Sequence, residues 1–245
     1  MYAAERVLQL GGTRNLRDVG GYPTVDGRRT RWRVLYRSDC LDQLDEAGQS
    51  WLVKAGLRTV IDLRDREEVT SRPNVFARST QLRYSRFPLW DEPPPGDLLP
   101  DLRLGYRREL DQVGERMAQL VELLATPGVL PALIHCAAGK DRTGFTVGVV
   151  LAAVGTQREA IAEDYALSGT CLGPRYVDEA RLWAISRGYD WAVWEHTVET
   201  PPERMLHTLK YLDEAFGGVH AYLLQHGLKP ETLAALHTLL TEAAC

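Results

Sequence analysis

The stretch from Leu130 to Val154 constrains this chain more than any other. An apolar run, Leu130-Pro131-Ala132-Leu133-Ile134, leads into His135-Cys136-Ala137-Ala138-Gly139-Lys140-Asp141-Arg142-Thr143-Gly144. Phe145 to Val154 is then almost wholly apolar. That order reads as buried strand, tight loop and helix. A loop ending on a helix N-terminus offers unpaired backbone N–H groups and the positive end of the helix dipole, and both attract anions. Cys136 opens this loop, in a field of the kind that favours thiolates. The planar fork of Arg142 suits two oxygens of a phosphate. Residues Ala137, Ala138, Gly139, Lys140, Asp141 and Arg142 would form the cradle. Nucleophile, cradle and clamp together describe phosphate-ester cleavage through a cysteinyl-phosphate. Gly139 and Gly144 permit close backbone approach, and Thr143 sets a hydroxyl within reach of the sulfur. The plain alternative is a buried structural cysteine in a strand–helix turn.

The rest of the chain fits an α/β protein. Short β-type runs occur at 33–36, 58–61, 82–87 and 132–134, most of them separated by helical patterns. This implies a mostly parallel central sheet flanked by helices. Asp26-Gly27 marks a hairpin. Leu110, Val113, Met117, Leu120 and Leu124 repeat at helical spacing. After Val154 the chain reads as helical, with Pro174 opening one helix, Thr200-Pro201-Pro202-Glu203 forming a capping box, and Lys229-Pro230 preceding the last. Residues 1–245 are expected to be one domain, with 1–154 as the sheet-containing core and 155–245 as a C-terminal helical layer.

Composition narrows the partners. Apolar residues at 44% and charged residues at 25% are ordinary for a globular protein. A net charge of −4 argues against nucleic acid. No apolar run approaches the roughly 20 residues that span a bilayer, so no stable membrane insertion is expected. No secretory signal is visible, which favours the cytoplasm. Cys40, Cys136, Cys171 and Cys245 are far apart and give neither a disulfide framework nor metal-ligand spacing. No metal or organic cofactor is implied. Residues 1–40 hold eight arginines against four acids, an excess that could line an anion site or form a solvated face.

Ligands of open α/β sheets bind beyond the carboxyl ends of the strands. The groups at those ends are Arg37-Ser38-Asp39, Asp62-Leu63-Arg64, Trp90-Asp91-Glu92 and the Cys136 loop. The leaving oxygen of an ester needs a proton, and three aspartates compete to supply it: Asp141, Asp91 and Asp62. A salt bridge between Asp62 and Arg64 is the plain alternative for that pair. His135 is expected behind the loop, holding its geometry. Lys140 is expected to make the pocket floor cationic, or else to face solvent. The proline-rich segment 88–101 is an irregular loop that could close over the site.

The string HCAAGKDRTG resembles that of the bacterial tyrosine and dual-specificity phosphatases, which carry HCxxGKDRTG. Asn15-Leu16-Arg17-Asp18-Val19-Gly20-Gly21, Tyr36-Arg37-Ser38-Asp39 and Ile61-Asp62-Leu63-Arg64 resemble further blocks of that family. Asp164-Tyr165-Ala166-Leu167-Ser168 and Tyr222-Leu223-Leu224 resemble weaker ones, so the likeness covers nearly the whole chain. It implies a phosphatase fold, a phosphoprotein or phosphoinositide substrate, Asp141 as an acid, which ranks it ahead of Asp91 and then Asp62, and Lys140 as a determinant of phosphoinositide acceptance. The rival readings are a sulfurtransferase or arsenate reductase, which also use cysteine loops on anions, and a non-catalytic binder of phospho-ligands.

Overall fold

The computed structural model describes residues 3–90 and 105–244. After a short helix α1 (Ala3–Arg6), its centre is a five-stranded sheet of order β1-β3-β6-β4-β5, with β1 (Arg17–Asp18), β3 (Leu35–Ser38), β4 (Thr59–Asp62), β5 (Arg83–Arg86) and β6 (Ala132–His135). Only β1 runs antiparallel to its neighbour; the other pairings are parallel. Every residue of β3, β4 and β6 is buried, as expected where helices cover both faces. Alternation sorts their side chains. Tyr36, Val60 and Leu133 point into one core beneath α2 (Glu46–Lys54), while Leu35, Ile61 and Ile134 point into the other. This second and larger core is built with α4 (Arg107–Ala125), α5 (Asp141–Ala153) and the C-terminal helices.

Register positions the site. Ser38 and Asp62 both stand opposite His135. The carboxyl ends of β3, β4 and β6 are therefore level, and the residues after them emerge on one rim.

The C-terminal elements are α6 (Arg158–Ser186), α7 (Trp191–Trp194), a single 3₁₀ turn (Glu195–Thr197), α8 (Pro202–Phe216), α9 (Val219–Gln225) and α10 (Pro230–Leu240). Helix α6 breaks at Gly173, whose φ of 67° is followed by Pro174, so Pro174 does open a new helix. Leu110, Val113, Met117, Leu120 and Leu124 are all buried on α4. The turn at Asp26-Gly27 folds back through Thr24 N–H to Arg28 O and Thr30 N–H to Tyr22 O. The outer edge of β2 (Arg28–Thr30) then pairs with the chain end, β7 (Thr241–Ala243).

The capping box expected at Thr200–Glu203 does not form. Pro201 occupies the cap and Pro202 the first turn. Neither proline has an N–H to satisfy, and Thr200 instead donates to Ala166 O at 3.1 Å.

Candidate active site

The Cys136 loop is anchored through its carbonyls. Ala137 O accepts from Cys40 N–H at 2.9 Å, Ala138 O from Asn15 Nδ2 at 2.9 Å, and Gly139 O from Arg37 Nη2 at 2.8 Å. A trans peptide sets each N–H opposite the preceding C=O. The N–H groups of Ala138, Gly139 and Lys140 therefore face away from those anchors, as an anion cradle requires. Gly139 has φ 66°, and a Cβ there would lie 2.2 Å from Ser38 O, so only glycine fits.

The anchors rest on a buried ionic cluster. Arg17 and Arg37 both bond the carboxylate of Asp164, and all three side chains are fully buried. Arg17 also reaches Asn15 and Ser168. Burial would raise the carboxyl pKa of Asp164, but the two guanidiniums outweigh it and hold the group well below the usual range. The arginine excess of residues 1–40 thus does not form only a solvated face. Arg6, Arg17 and Arg37 are spent inside the protein, and Arg14 lines the cavity over Cys136.

Cys136 is 3% exposed and opens on a cavity of about 900 Å³. Ala137, Ala138, Asp141 and Arg142 share its lining. Arg14, Asp39 and Arg72 line it too, as do Tyr176, Trp183 and Trp194 from the C-terminal helices. Arg142 lies in the first turn of α5 and gives Nη1 and Nη2 to the two carboxylate oxygens of Glu68, each at 2.6 Å. Glu68 begins helix α3 (Arg66–Ser71), where it also closes a capping box with Asp65. Asp141 Oδ1 accepts from Tyr106 Oη at 2.6 Å and lies 3.2 Å from Lys140 Nζ.

Three expectations are corrected. Lys140 does not form the pocket floor and does not face solvent. It is fully buried, bonds Thr197 O, and lies outside the cavity lining. Burial lowers its pKa against the pull of Asp141. Asp62 is not placed to act as an acid. Arg64 grips both of its oxygens at 2.9 and 2.7 Å, Tyr84 donates to it at 2.8 Å, and it is fully buried away from the cavity. Burial would raise its pKa, yet His135, Arg64 and Tyr84 together hold it low, which suits a permanent anion. Arg64 is thus spent on Asp62, Cys40 and Arg72 O. The hydroxyl of Thr143 is buried and has no partner among the described residues, the Cys136 sulfur included.

His135 sits behind the loop as expected. Its Nδ1 lies 3.1 Å from Cys136 O and its Nε2 2.8 Å from Asn74 Nδ2. A carbonyl can only accept, so Nδ1 carries the proton and Nε2 takes one from Asn74. Burial lowers the pKa of this ring, with Asp62 opposing. Asp91 and most of segment 88–101 lie outside the described residues.

Sequence reasoning gave no role to Glu68, Tyr106, Asn15 or the aromatic wall. Asn15 stood in the N-terminal block shared with the phosphatases, and Glu68 carried a local signal, the Asp65–Glu68 capping-box spacing just beyond β4.

With the geometry in place, the class follows. The chain belongs to the tyrosine phosphatase family, whose sequence model matches residues 8–242. It is similar to the triple specificity protein phosphatase PtpB of Mycobacterium tuberculosis, at 27% identity over 96% of this chain and 99% of that one. A provisionally named tyrosine-protein phosphatase of Cupriavidus necator is 28% identical over 85% of this chain and 80% of its own. Among solved structures, the catalytic core of Siw14 overlaps 78% of this chain and 94% of its own at 17% identity and a TM-score of 0.42, a loose likeness. This is a cysteine-dependent phosphatase. Among the described residues, no helix is long and apolar enough to cross a membrane.

Proposed function

We propose that residues 1–245 act as one catalytic unit that hydrolyses phosphate monoesters, phosphotyrosine among them, through a phosphoryl group carried on Cys136. The Cys136 thiolate attacks phosphorus and the bond to the leaving oxygen breaks. The N–H groups of the loop and the unused edge of Arg142 hold the equatorial oxygens. Asp141 gives its proton to the leaving oxygen, then takes one from the water that attacks the phosphoenzyme and releases the thiolate. The observation that carries this reading is that Cys136, Arg142 and Asp141 line one cavity, while Asp62 is sealed behind it.

Two features favour a broad substrate range. The cavity has an aromatic wall suited to an aryl ring, and Arg14 and Arg72 on its lining suit further phosphates. The relative PtpB, a triple specificity protein phosphatase, agrees with such breadth. Lys140 is not part of this reading, because its ammonium is directed at the backbone of the C-terminal helices.

The test is acid-quenched turnover of p-nitrophenyl phosphate, read by peptide mass spectrometry, with a panel of phosphotyrosine, phosphothreonine and phosphoinositide substrates beside it. One phosphoryl group on the peptide holding Cys136 is expected, and none in Cys136→Ser. Residual turnover in Cys136→Ser above about one per cent of wild type contradicts the covalent route, since loss of a nucleophile costs several decades.

A further inference from the structure

Asp141 is held from one side only. Tyr106 Oη donates to Oδ1 at 2.6 Å, and Lys140 Nζ stands 3.2 Å from the same oxygen. Tyr106 Oη is in turn 2.8 Å from Tyr165 Oη, which lies 3.2 Å from Arg204 Nη1. A guanidinium can only donate, and Tyr106 has already given its proton to the carboxylate. The direction of the chain is therefore fixed: Arg204 donates to Tyr165, Tyr165 to Tyr106, and Tyr106 to Asp141. Bonds aligned in this way polarise one another.

The chain is rigidly mounted. Tyr106 is buried, with its ring packed against Phe145 at 5.3 Å and Tyr165 at 6.0 Å between centroids. Its backbone N–H donates to Thr208 Oγ at 3.1 Å. The preceding Gly105 has φ 83°, and a Cβ there would lie 2.7 Å from Thr208 N. Arg204 also bonds the carbonyls of His196 and Glu199, so the same network fixes the turn that carries Thr197 and Val198 to the cavity.

We propose that Tyr106 is a positioning residue for the Asp141 acid: its hydroxyl, backed by Tyr165 and Arg204, ties down Oδ1 and confines the transferable proton to Oδ2. This rests on the reading of Asp141 as the general acid. Asp141 is 39% exposed at the cavity, so an untethered carboxylate could rotate and present either oxygen. Tethering leaves one protonated geometry, and acid catalysis depends on that geometry before it depends on pKa.

The ionisable groups facing Asp141 are Cys136 and Lys140 on its own loop, Tyr106 at the cap of α4 and Glu109 in its first turn, Tyr165 and Tyr176 from α6, and Arg204 from α8. Burial, helped by the charge of Asp141, pushes the Tyr106 phenol well above its ordinary value and Tyr165 up to about 12. Both phenols therefore keep their protons across the working pH range and remain donors.

The experiment compares phenyl phosphate, which needs a protonated leaving oxygen, with p-nitrophenyl phosphate, which needs it far less. Tyr106→Phe keeps the ring and removes the tether. Its kcat on phenyl phosphate is expected to fall about tenfold, a fraction of the 10²–10⁴ that general acid catalysis supplies, with less than about a twofold loss on p-nitrophenyl phosphate. A carboxylate that loses a donor holds its proton more tightly, so the alkaline limb of kcat should move to higher pH. Tyr165→Phe leaves the Asp141 contact in place and should show a smaller effect in the same direction, which preserves the test if Tyr106→Phe folds poorly. Equal losses on both substrates with an unmoved limb overturn the proposal. Asp141→Asn separates the two levels of the argument. If it is selective for phenyl phosphate while the tyrosine variants are not, the acid stands and the tether falls. If Asp141→Asn is itself indifferent to the leaving group, the acid assignment falls and the tether with it.

Discussion

Two arginine–carboxylate clusters meet the Cys136 loop, and they differ in what they leave unused. In the first, Arg17 gives Nε to Asp164 Oδ1, Nη2 to Asp164 O and Ser168, and Nη1 to Asn15. Every nitrogen of that guanidinium is engaged, and no part of the cluster reaches water. In the second, Arg142 gives one proton each from Nη1 and Nη2 to Glu68, with both side chains partly exposed. A guanidinium carries five N–H donors. Arg142 therefore keeps the edge formed by Nε and Nη2, which is enough for a bidentate phosphate. The same chemical pair serves as permanent scaffolding at Arg17, where the guanidinium is saturated, and as a ligand site at Arg142, where it is half-used.

The largest break in this comparison comes from Arg142. Arg142→Ala should lower kcat about 10³–10⁵-fold, the range seen when a charge-stabilising arginine is removed from phosphoryl transfer. Arg142→Lys should be nearly as damaging, because an ammonium offers no fork. Urea unfolding should change less than in Asp164→Ala, since this ion pair is 20% and 27% exposed where that cluster is sealed. A Lys variant that keeps most of its kcat means that the second edge of Arg142 is not the clamp.

Asp164→Ala should act in the opposite sense. It leaves two buried guanidiniums without their anion, a loss of about 3–5 kcal/mol in unfolding free energy. The pH dependence has the matching sign. The folded-state pKa of Asp164 is depressed, so its stabilisation is complete above the unfolded value of about 3.9 and is lost as pH falls through the folded one. Wild type should thus unfold in acid more steeply than Asp164→Ala, as followed by circular dichroism. A variant destabilised by less than about 1 kcal/mol would show that Arg17 and Arg37 find other anions or water.

The difference between the clusters also explains what could be read in the sequence. The Cys136 loop was legible because its strand, spacing and helix are contiguous and each imposes a local pattern. The strand ends were legible because short β-type runs each lead into polar residues, and ligands of open α/β sheets bind beyond those ends. Side-chain partners across the fold were not. Arg142 and Glu68 are 74 residues apart, Lys140 and Thr197 are 57 apart, and Arg37 and Asp164 are 127 apart. Lys140 shows the consequence. Its place beside Arg142 suggested a second phosphate-binding cation, but the side of a loop on which a residue leaves depends on backbone angles and on distant acceptors. Asp62 was correctly placed at a strand end, and the plain salt-bridge alternative with Arg64 is the arrangement found. Arg17 and Arg37 looked like surplus charge because their anion, Asp164, comes from α6.

Glu68 offers the smallest and sharpest test of the comparison. Two roles fit a carboxylate on Arg142. It is either an orienter that fixes the guanidinium with its second edge free, or a competitor that phosphate must displace. The geometry favours the orienter, because Glu68 occupies only the Nη1–Nη2 edge and is itself held by Asp65 N–H at 3.0 Å. Burial would raise the pKa of Glu68, but Arg142 and the capping bonds outweigh it and keep it ionised. Glu68→Gln retains one oxygen and the shape of the side chain, but removes the charge and sets an amide NH₂ against the guanidinium. Its kcat/KM should fall about three- to tenfold, roughly the 1 kcal/mol of one weakened charge-assisted bond. Its stability should change by less than about 1 kcal/mol. Inorganic phosphate, measured as a competitive inhibitor, decides between the roles. Weaker inhibition in Glu68→Gln fits an orienter, since a loosened Arg142 must be fixed again on binding. Tighter inhibition means that Glu68 and phosphate compete for the same edge, and Arg142 is then no more half-used than Arg17.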